Sequence, residues 1–178
     1  VTTWVALLRG VNVGSGNRLP MADFRRSVES LGYADVATYI QSGNVVFRSE
    51  DDEATIAERI GAIVADTHGL SVPVVVRRGD ELLGLVDRHP FAPLVDDSKL
   101  LHVAFLDRVC DTTSGPDSDR WLPDRWAVEG RELFLAYPGG SARSKMTIEQ
   151  FERPWDVTAT ARNLNTVAKL AELVAALR

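Results

Sequence analysis

Hydrophobic positions recur along this chain with two periods, about two residues and about 3.6, and the alternation between them marks out strands and helices. "WVALLR" (Trp4 to Arg9) is a short apolar run that ends at a glycine loop and reads as a strand. After the loop, Met21, Phe24, Val28 and Leu31 lie three or four apart on one face of a helix, with Pro20 in its first turn and Gly32 at its end. "VATYIQ" and "NVVFRS" are β-branched and aromatic runs on either side of Ser42 and Gly43, the pattern of a hairpin. Asp51 to Glu53 place acids at the start of the next helix, which turns Ile56, Ile60, Ile63 and Val64 inward and stops at Gly69. "VPVVVR" (Val72 to Arg77) is a strand, and Pro73 puts it at a sheet edge or at the strand's first residue. A short helix with Asp80 as its N-cap follows and ends before Pro90.

The second half repeats this order with weaker signals. "LLHVAFL" (Leu100 to Leu106) is a strand, and Asp107 to Pro123 is loop with at most a short helix near Trp121. "RWAVEGRELFLAY" is a hairpin turning near Gly130. Ile148 and Phe151 belong to a helix for which Thr147 and Gln150 form a capping box, and "VTATA" (Val157 to Ala161) is the last strand. The final helix carries Leu164, Val167, Leu170, Val174 and Leu177 on one side. The expected class is α+β, with two ferredoxin-like subdomains of β-α-β-β-α-β order packed together. Their expected limits are residues 1–79 and 100–178, joined by a connecting helix and loop over residues 80–99.

Composition narrows the function classes. A chain of 178 residues with 45% apolar and 25% charged residues is an ordinary globule that needs no staples. Its single cysteine, Cys110, excludes an internal disulfide. No apolar run approaches a membrane span and no secretion leader is visible, so the expected location is cytoplasmic. A net charge of −5 argues against bulk nucleic-acid binding, which depends on neutralising phosphates.

The charge is unevenly spread, and that changes the picture. Asp and Glu are 25 of the 178 residues, yet segments 9–22, 36–48, 139–148 and 157–171 contain none. Those segments hold Arg9, Arg18, Arg48, Arg143, Lys145, Arg162 and Lys169, and several are glycine-rich loops leading into helices. Glycines let backbone N–H groups converge on an anion, and a helix N-terminus adds a partial positive charge. Neither nucleotide fingerprint is present: no G-x-x-x-x-G-K-[ST] string occurs, and Leu19 stands where a dinucleotide loop needs its third glycine. Asn163 or Asn165 suits the N-cap of the last helix. The three histidines, His68, His89 and His102, lack metal-ligand spacing, and Cys110 has no paired histidine, so neither a metal, a cofactor nor a thiol nucleophile is expected. The four tryptophans are read as packing residues.

"VALLRGVNVGSGNRLPMADFR", "TYIQSGNVVF", "RSKMT" and "ARNLNTVAKL", in this order and at these spacings, resemble the bacterial family called domain of unknown function 1697, from Trp4 to Leu173. The resemblance implies two ferredoxin-like subdomains and no activity. The family's recurring polar positions fall here on Arg9, Asn12, Gln41, Ser42, Asn44, Arg143, Ser144, Lys145, Arg162, Asn163 and Asn165, the candidate ligand-binding set. Ala142 replaces a frequent glycine and Leu164 a frequent tryptophan.

Three functional readings follow. In the first, the protein is a binding module for a small phosphate- or nucleotide-like anion, with Arg9, Arg143, Lys145 and Arg162 holding it and Asn12, Gln41, Asn44 and Asn163 orienting it. The second is a phosphate or acyl-phosphate hydrolase, with Arg9 on phosphate and Asn44 orienting water; no general base stands out. The third is an interaction module, forming a homo-oligomer or the seam between the halves. RNA binding through an outward-facing Phe47 is weaker, because the surrounding string lacks the aromatic RNA-recognition pattern.

Overall fold

Strand pairing in a computed structural model describing all residues, Val1 to Arg178, yields two separate four-stranded antiparallel sheets, ordered β2-β3-β1-β4 and β6-β7-β5-β8. The chain divides into two compact units, residues 1–83 with 169–178 and residues 84–168.

The first unit contains β1 (Thr2–Leu8), α1 (Met21–Ser30), β2 (Ala34–Tyr39), β3 (Asn44–Ser49), α2 (Glu53–His68), β4 (Val74–Arg78) and α3 (Gly79–Leu82). Trp4, Ala6, Leu8, Val45, Phe47 and Val76 point to one face of its sheet and pack against Phe24 and Val28 of α1 and Ile56, Ile60 and Val64 of α2. Val5, Leu7, Val46, Val75 and Arg77, on the alternate positions, are also buried, which is why β1 reads as an unbroken apolar run. Phe47 therefore does not face outward. It is fully buried and stacked on Tyr33 at 4.7 Å, which removes the aromatic platform an RNA reading needs.

Local signals set the helix ends. Asp52 accepts a hydrogen bond from the Thr55 N–H and caps α2, and Gly69 closes it at φ +67°. Pro73 immediately precedes the edge strand β4. Asp80 is not a cap: Arg78 occupies that position, its N–H donating to Glu81 Oε2 at 2.7 Å, and Asp80 lies within the first turn. The Tyr33 hydroxyl and the Arg59 guanidinium both donate to Asp51 Oδ2, at 2.9 and 2.6 Å, tying α2 to the segment that follows α1. Burial, and then the hydrogen bond to Asp51, push the Tyr33 phenol up to about 12.

The second unit contains β5 (Leu101–Leu106), β6 (Arg125–Glu129), β7 (Glu132–Ala136), α4 (Glu149–Trp155), β8 (Ala159–Asn163) and the start of α5 (Leu164–Ala176). No helix stands between β5 and β6, where residues 107–124 form only bends and turns, none of them helical at Trp121. The β-α-β-β-α-β order expected of this half is absent at that point. Glycine, proline and five aspartates leave that stretch no apolar face to bury. Half of the expected capping box forms, with the Thr147 N–H donating to Gln150 Oε1 at 3.1 Å. Trp155 and Phe151 lie in the core, with Trp121 and Trp126 packed against it, ring centroids 5.3–5.7 Å apart. α5 runs across the division, and its last residues join the first unit; a Cβ on Gly79 would come within 2.6 Å of Val174.

Two predictions follow from this packing. A Cβ on Gly43 would lie 2.6 Å from Val11 Cγ2 and 2.8 Å from Leu8 Cβ, and φ there is +76°. Gly43→Ala combines overpacking with left-handed strain and is expected to cost about 3 kcal/mol by urea denaturation. His89 is buried, donating through Nε2 to the His102 carbonyl at 3.0 Å and accepting the Phe91 N–H at Nδ1 at 3.3 Å. That pattern requires a neutral ring, and His102 likewise donates through Nε2 to the Lys99 carbonyl. Burial holds both imidazoles below the ordinary histidine range, and their proximity lowers His102 further. The unfolded chain takes up protons near pH 6.5 that the folded chain refuses, so stability is full above about that pH and falls as the pH drops below it. The urea midpoint is expected to be lower at pH 5.5 than at 7.5, and the gap to shrink in a His89→Gln/His102→Gln double variant.

Candidate functional site

The end of β1 is placed beside the start of β3 by the strand register, Leu7 opposite Asn44. The glycine loop after β1 therefore lies against the β2–β3 hairpin, and the Leu8 N–H donates to the Gly43 carbonyl at 2.9 Å. Asn12 joins the two. Its Nδ2 donates to the Leu19 and Gln41 carbonyls at 2.8 and 2.7 Å, and its Oδ1 accepts the Leu19 N–H at 2.8 Å. The Asn12 N–H donates to the Asn17 carbonyl at 3.0 Å, closing the loop, and Asn17 Nδ2 reaches the Gly10 carbonyl at 3.1 Å.

The chain reverses within this loop by repeatedly entering the left-handed region, at Gly10, Asn12, Gly14 and Asn17, with φ of +70°, +54°, +60° and +47°. Glycine and asparagine are the residues that tolerate this. Apart from a tight turn over Gly14 and Ser15, the N–H groups of Val13 through Arg18 have no backbone acceptor. Arg18 and Gln41 are exposed, and neither side chain makes a hydrogen bond or ion pair. Asn12, Gly14, Arg18 and Gln41 line an open pocket of about 250 Å³. No carboxylate belongs to either segment that forms it. Leu19, at the position where a dinucleotide loop needs glycine, is fully buried.

The other predicted residues have different surroundings. Arg9 is half-buried at the end of β1, its N–H donating to the Pro73 carbonyl at 3.0 Å, and it does not line the pocket. Asn44 is fully buried, its amide donating to Tyr39 O at 3.1 Å and Ser42 Oγ at 2.8 Å, so it has no open face from which to orient a water. In the second unit, Arg143 and Lys145 are exposed and unpaired in the loop before α4. Ser144 between them is structural: its hydroxyl donates to Asp124 and accepts the Met146 N–H at 2.9 Å. Arg162 is buried on β8 rather than placed in a loop, and donates to Thr160 Oγ1 at 2.7 Å and the Ala161 carbonyl at 2.9 Å. Desolvation lowers its pKa to about 10, which still leaves it charged at neutral pH. Asn163 caps α5 by accepting the Thr166 N–H at 2.9 Å, and Asn165 bonds the Ser98 hydroxyl.

Within the first unit, Asn12, Gln41, Ser42 and Asn44 are thus brought together, and Arg18 joins them although it was not among the predicted set. Its signal was a cation in the same acid-free loop, one position before a core residue. Cys110 packs against the core of the second unit, and burial pushes its thiol up, away from the reactive thiolate. No three His, Cys, Asp or Glu side chains gather where they could hold a metal ion.

An α+β protein with two four-stranded antiparallel sheets is the class these features define. The chain belongs to the family described as Protein of unknown function (DUF1697), whose model matches residues 1–134. That span includes the glycine loop and the hairpin but not Arg143, Lys145 or the β8–α5 junction. No curated protein matches. Among solved structures, a conserved bacterial protein from Streptococcus pneumoniae is similar, with 21% identity, a TM-score of 0.71, and coverage of 97% of this chain and 98% of that one. At that identity the likeness shows a shared fold.

The Asn12 bridge between the loop and the hairpin can be tested directly. Asn12→Asp keeps the acceptor for the Leu19 N–H but sets a carboxylate against two carbonyls. It is expected to lose about 2 kcal/mol of stability above the carboxylate range, measured by urea unfolding.

Proposed function

We propose that the protein is a cytoplasmic binding module for a small anion, phosphate-like in its charge and oxygen acceptors, held at the loop pocket of the first unit. The supporting observation is the conjunction of an unpaired arginine, an unpaired carboxamide and a run of unengaged N–H groups around one acid-free pocket. Arg18 supplies the charge and a planar donor fork. Gly14 allows the backbone to approach without a side chain in the way, and Gln41 adds a neutral donor. The lone, half-buried Cys110 fits a reducing compartment. The first unit's β-α-β-β-α-β order, with β1 between β3 and β4, supports reading it as ferredoxin-like.

The hydrolase reading loses support, because the residue needed to orient water, Asn44, is buried and committed to the hairpin. The test is a thermal-shift series with inorganic phosphate, sugar phosphates, nucleotides and acyl phosphates. A ligand at about 100 times its dissociation constant adds about 2.7 kcal/mol, a rise of roughly 5–11 °C for a chain this size. Arg18→Ala is expected to weaken a bound anion about tenfold or more. Absence of any shift, or a shift that Arg18→Ala leaves unchanged, refutes the reading.

A further inference from the structure

The first unit exposes few large apolar side chains. Apart from the first residue they are Val13 and Ile40, at 70% and 48% exposure. Both flank the pocket: Val13 stands between the lining residues Asn12 and Gly14, and Ile40 immediately precedes the lining residue Gln41. The Asn12 bond to the Gln41 carbonyl holds the two segments together, so the unit's exposed apolar surface gathers at the rim of one polar pocket.

Ile40 is also in the wrong conformation for its residue type. Its φ is +47°, and it is the one β-branched residue of the chain in the left-handed region. Such residues are genuine outliers there, because the branched Cβ crowds the backbone. Every other left-handed position in these two segments is glycine or asparagine. Folding alone favours glycine or asparagine at 40. Ile40 is both strained and exposed, and strain of this kind concentrates at ligand clamps.

We infer that the pocket takes an anionic head group carrying a small apolar substituent, with the anion on Arg18 and the loop N–H groups and the substituent on Val13 and Ile40. This rests on the anion reading above and names its ligand class. A bare inorganic anion would leave both apolar side chains in water. A substituent covering them removes apolar surface on both sides, enough for about a tenfold gain in affinity.

The experiment is calorimetric titration of the full chain with inorganic phosphate and with phenyl phosphate, in the wild type, Ile40→Gly, Val13→Ser and the double variant. Phenyl phosphate is expected to bind about tenfold tighter than phosphate to the wild type. The preference, read as the ratio of the two affinities within each variant, should fall to about twofold or less in the double variant. Ile40→Gly relieves the strain, so its unfolding temperature should stay at or above the wild-type value, separating lost preference from lost folding. Equal binding of the two ligands by the wild type, or a preference that survives in the double variant, overturns the inference while leaving the anion reading intact. Absence of binding by either ligand removes both. A concentration-dependent mass abolished by Ile40→Gly, with ligand preference unaffected, would assign the apolar rim to a protein contact and overturn the inference too.

Discussion

The close approach of the β1 loop to the β2–β3 hairpin is the constraint from which the first unit's polar surface takes its shape. β1 is the inner strand that pairs with both β3 and β4, so the chain leaving it must turn away over the start of β3. At that crossing there is no room for a side chain on Gly43, and the neighbouring carbonyls of Leu19 and Gln41 need donors. One carboxamide, that of Asn12, supplies both donors and returns an acceptor to Leu19. Leu19 is thereby pinned in the core, and the residues between Asn12 and Leu19 form an exposed loop that makes little backbone pairing beyond its own tight turn. The same geometry that satisfies the crossing creates the acid-free pocket.

The two units reuse one sheet order but differ in what surrounds it. The edge strands β4 and β8 each carry a buried arginine at the same register: Arg77 opposite Val5 and Arg162 opposite Val103. Each guanidinium donates to the carbonyl of the preceding residue on its own strand. A buried arginine requires that its donors be satisfied, since an unsatisfied buried charge is far more costly than an apolar replacement. Both arginines are therefore part of the interior of their sheets. For Arg162 this matters to function, because a residue held inside a strand by Thr160 and Ala161 is not disposed as a loop arginine would be.

Most of the first unit was legible because its signals are local. Asp52 and Gly69 bracket α2, the turn at Gly43 separates two β-branched runs, and Pro73 marks the edge strand. The second unit was less legible where stability comes from pairing. "VTATA" points to a strand over 157–161, but β8 runs from Ala159 to Asn163, because β5 offers ladder partners at His102 and Val103 that outweigh the turn-like look of Arg162 and Asn163. Nothing in the last helix's amphipathic pattern shows that it is shared between units. At the candidate site, two of the acid-free segments meet, and the strand order explains why. What the sequence cannot display is which polar side chains the fold consumes.

That consumption separates the candidate polar positions into two kinds. Asn12, Ser42, Asn44, Ser144, Arg162, Asn163 and Asn165 all make hydrogen bonds within the protein that secure a turn, a cap or a strand. Arg18, Gln41, Arg143 and Lys145 spend no side-chain donor on the structure. A ligand competes with water for groups of this second kind at little cost to the fold, whereas recruiting the first kind would break a bond that already holds the chain in place. On the proposed reading, binding therefore rests with the uncommitted residues, on a scaffold that the committed ones build. In the first unit, where the pocket is formed, those residues are Arg18 and Gln41.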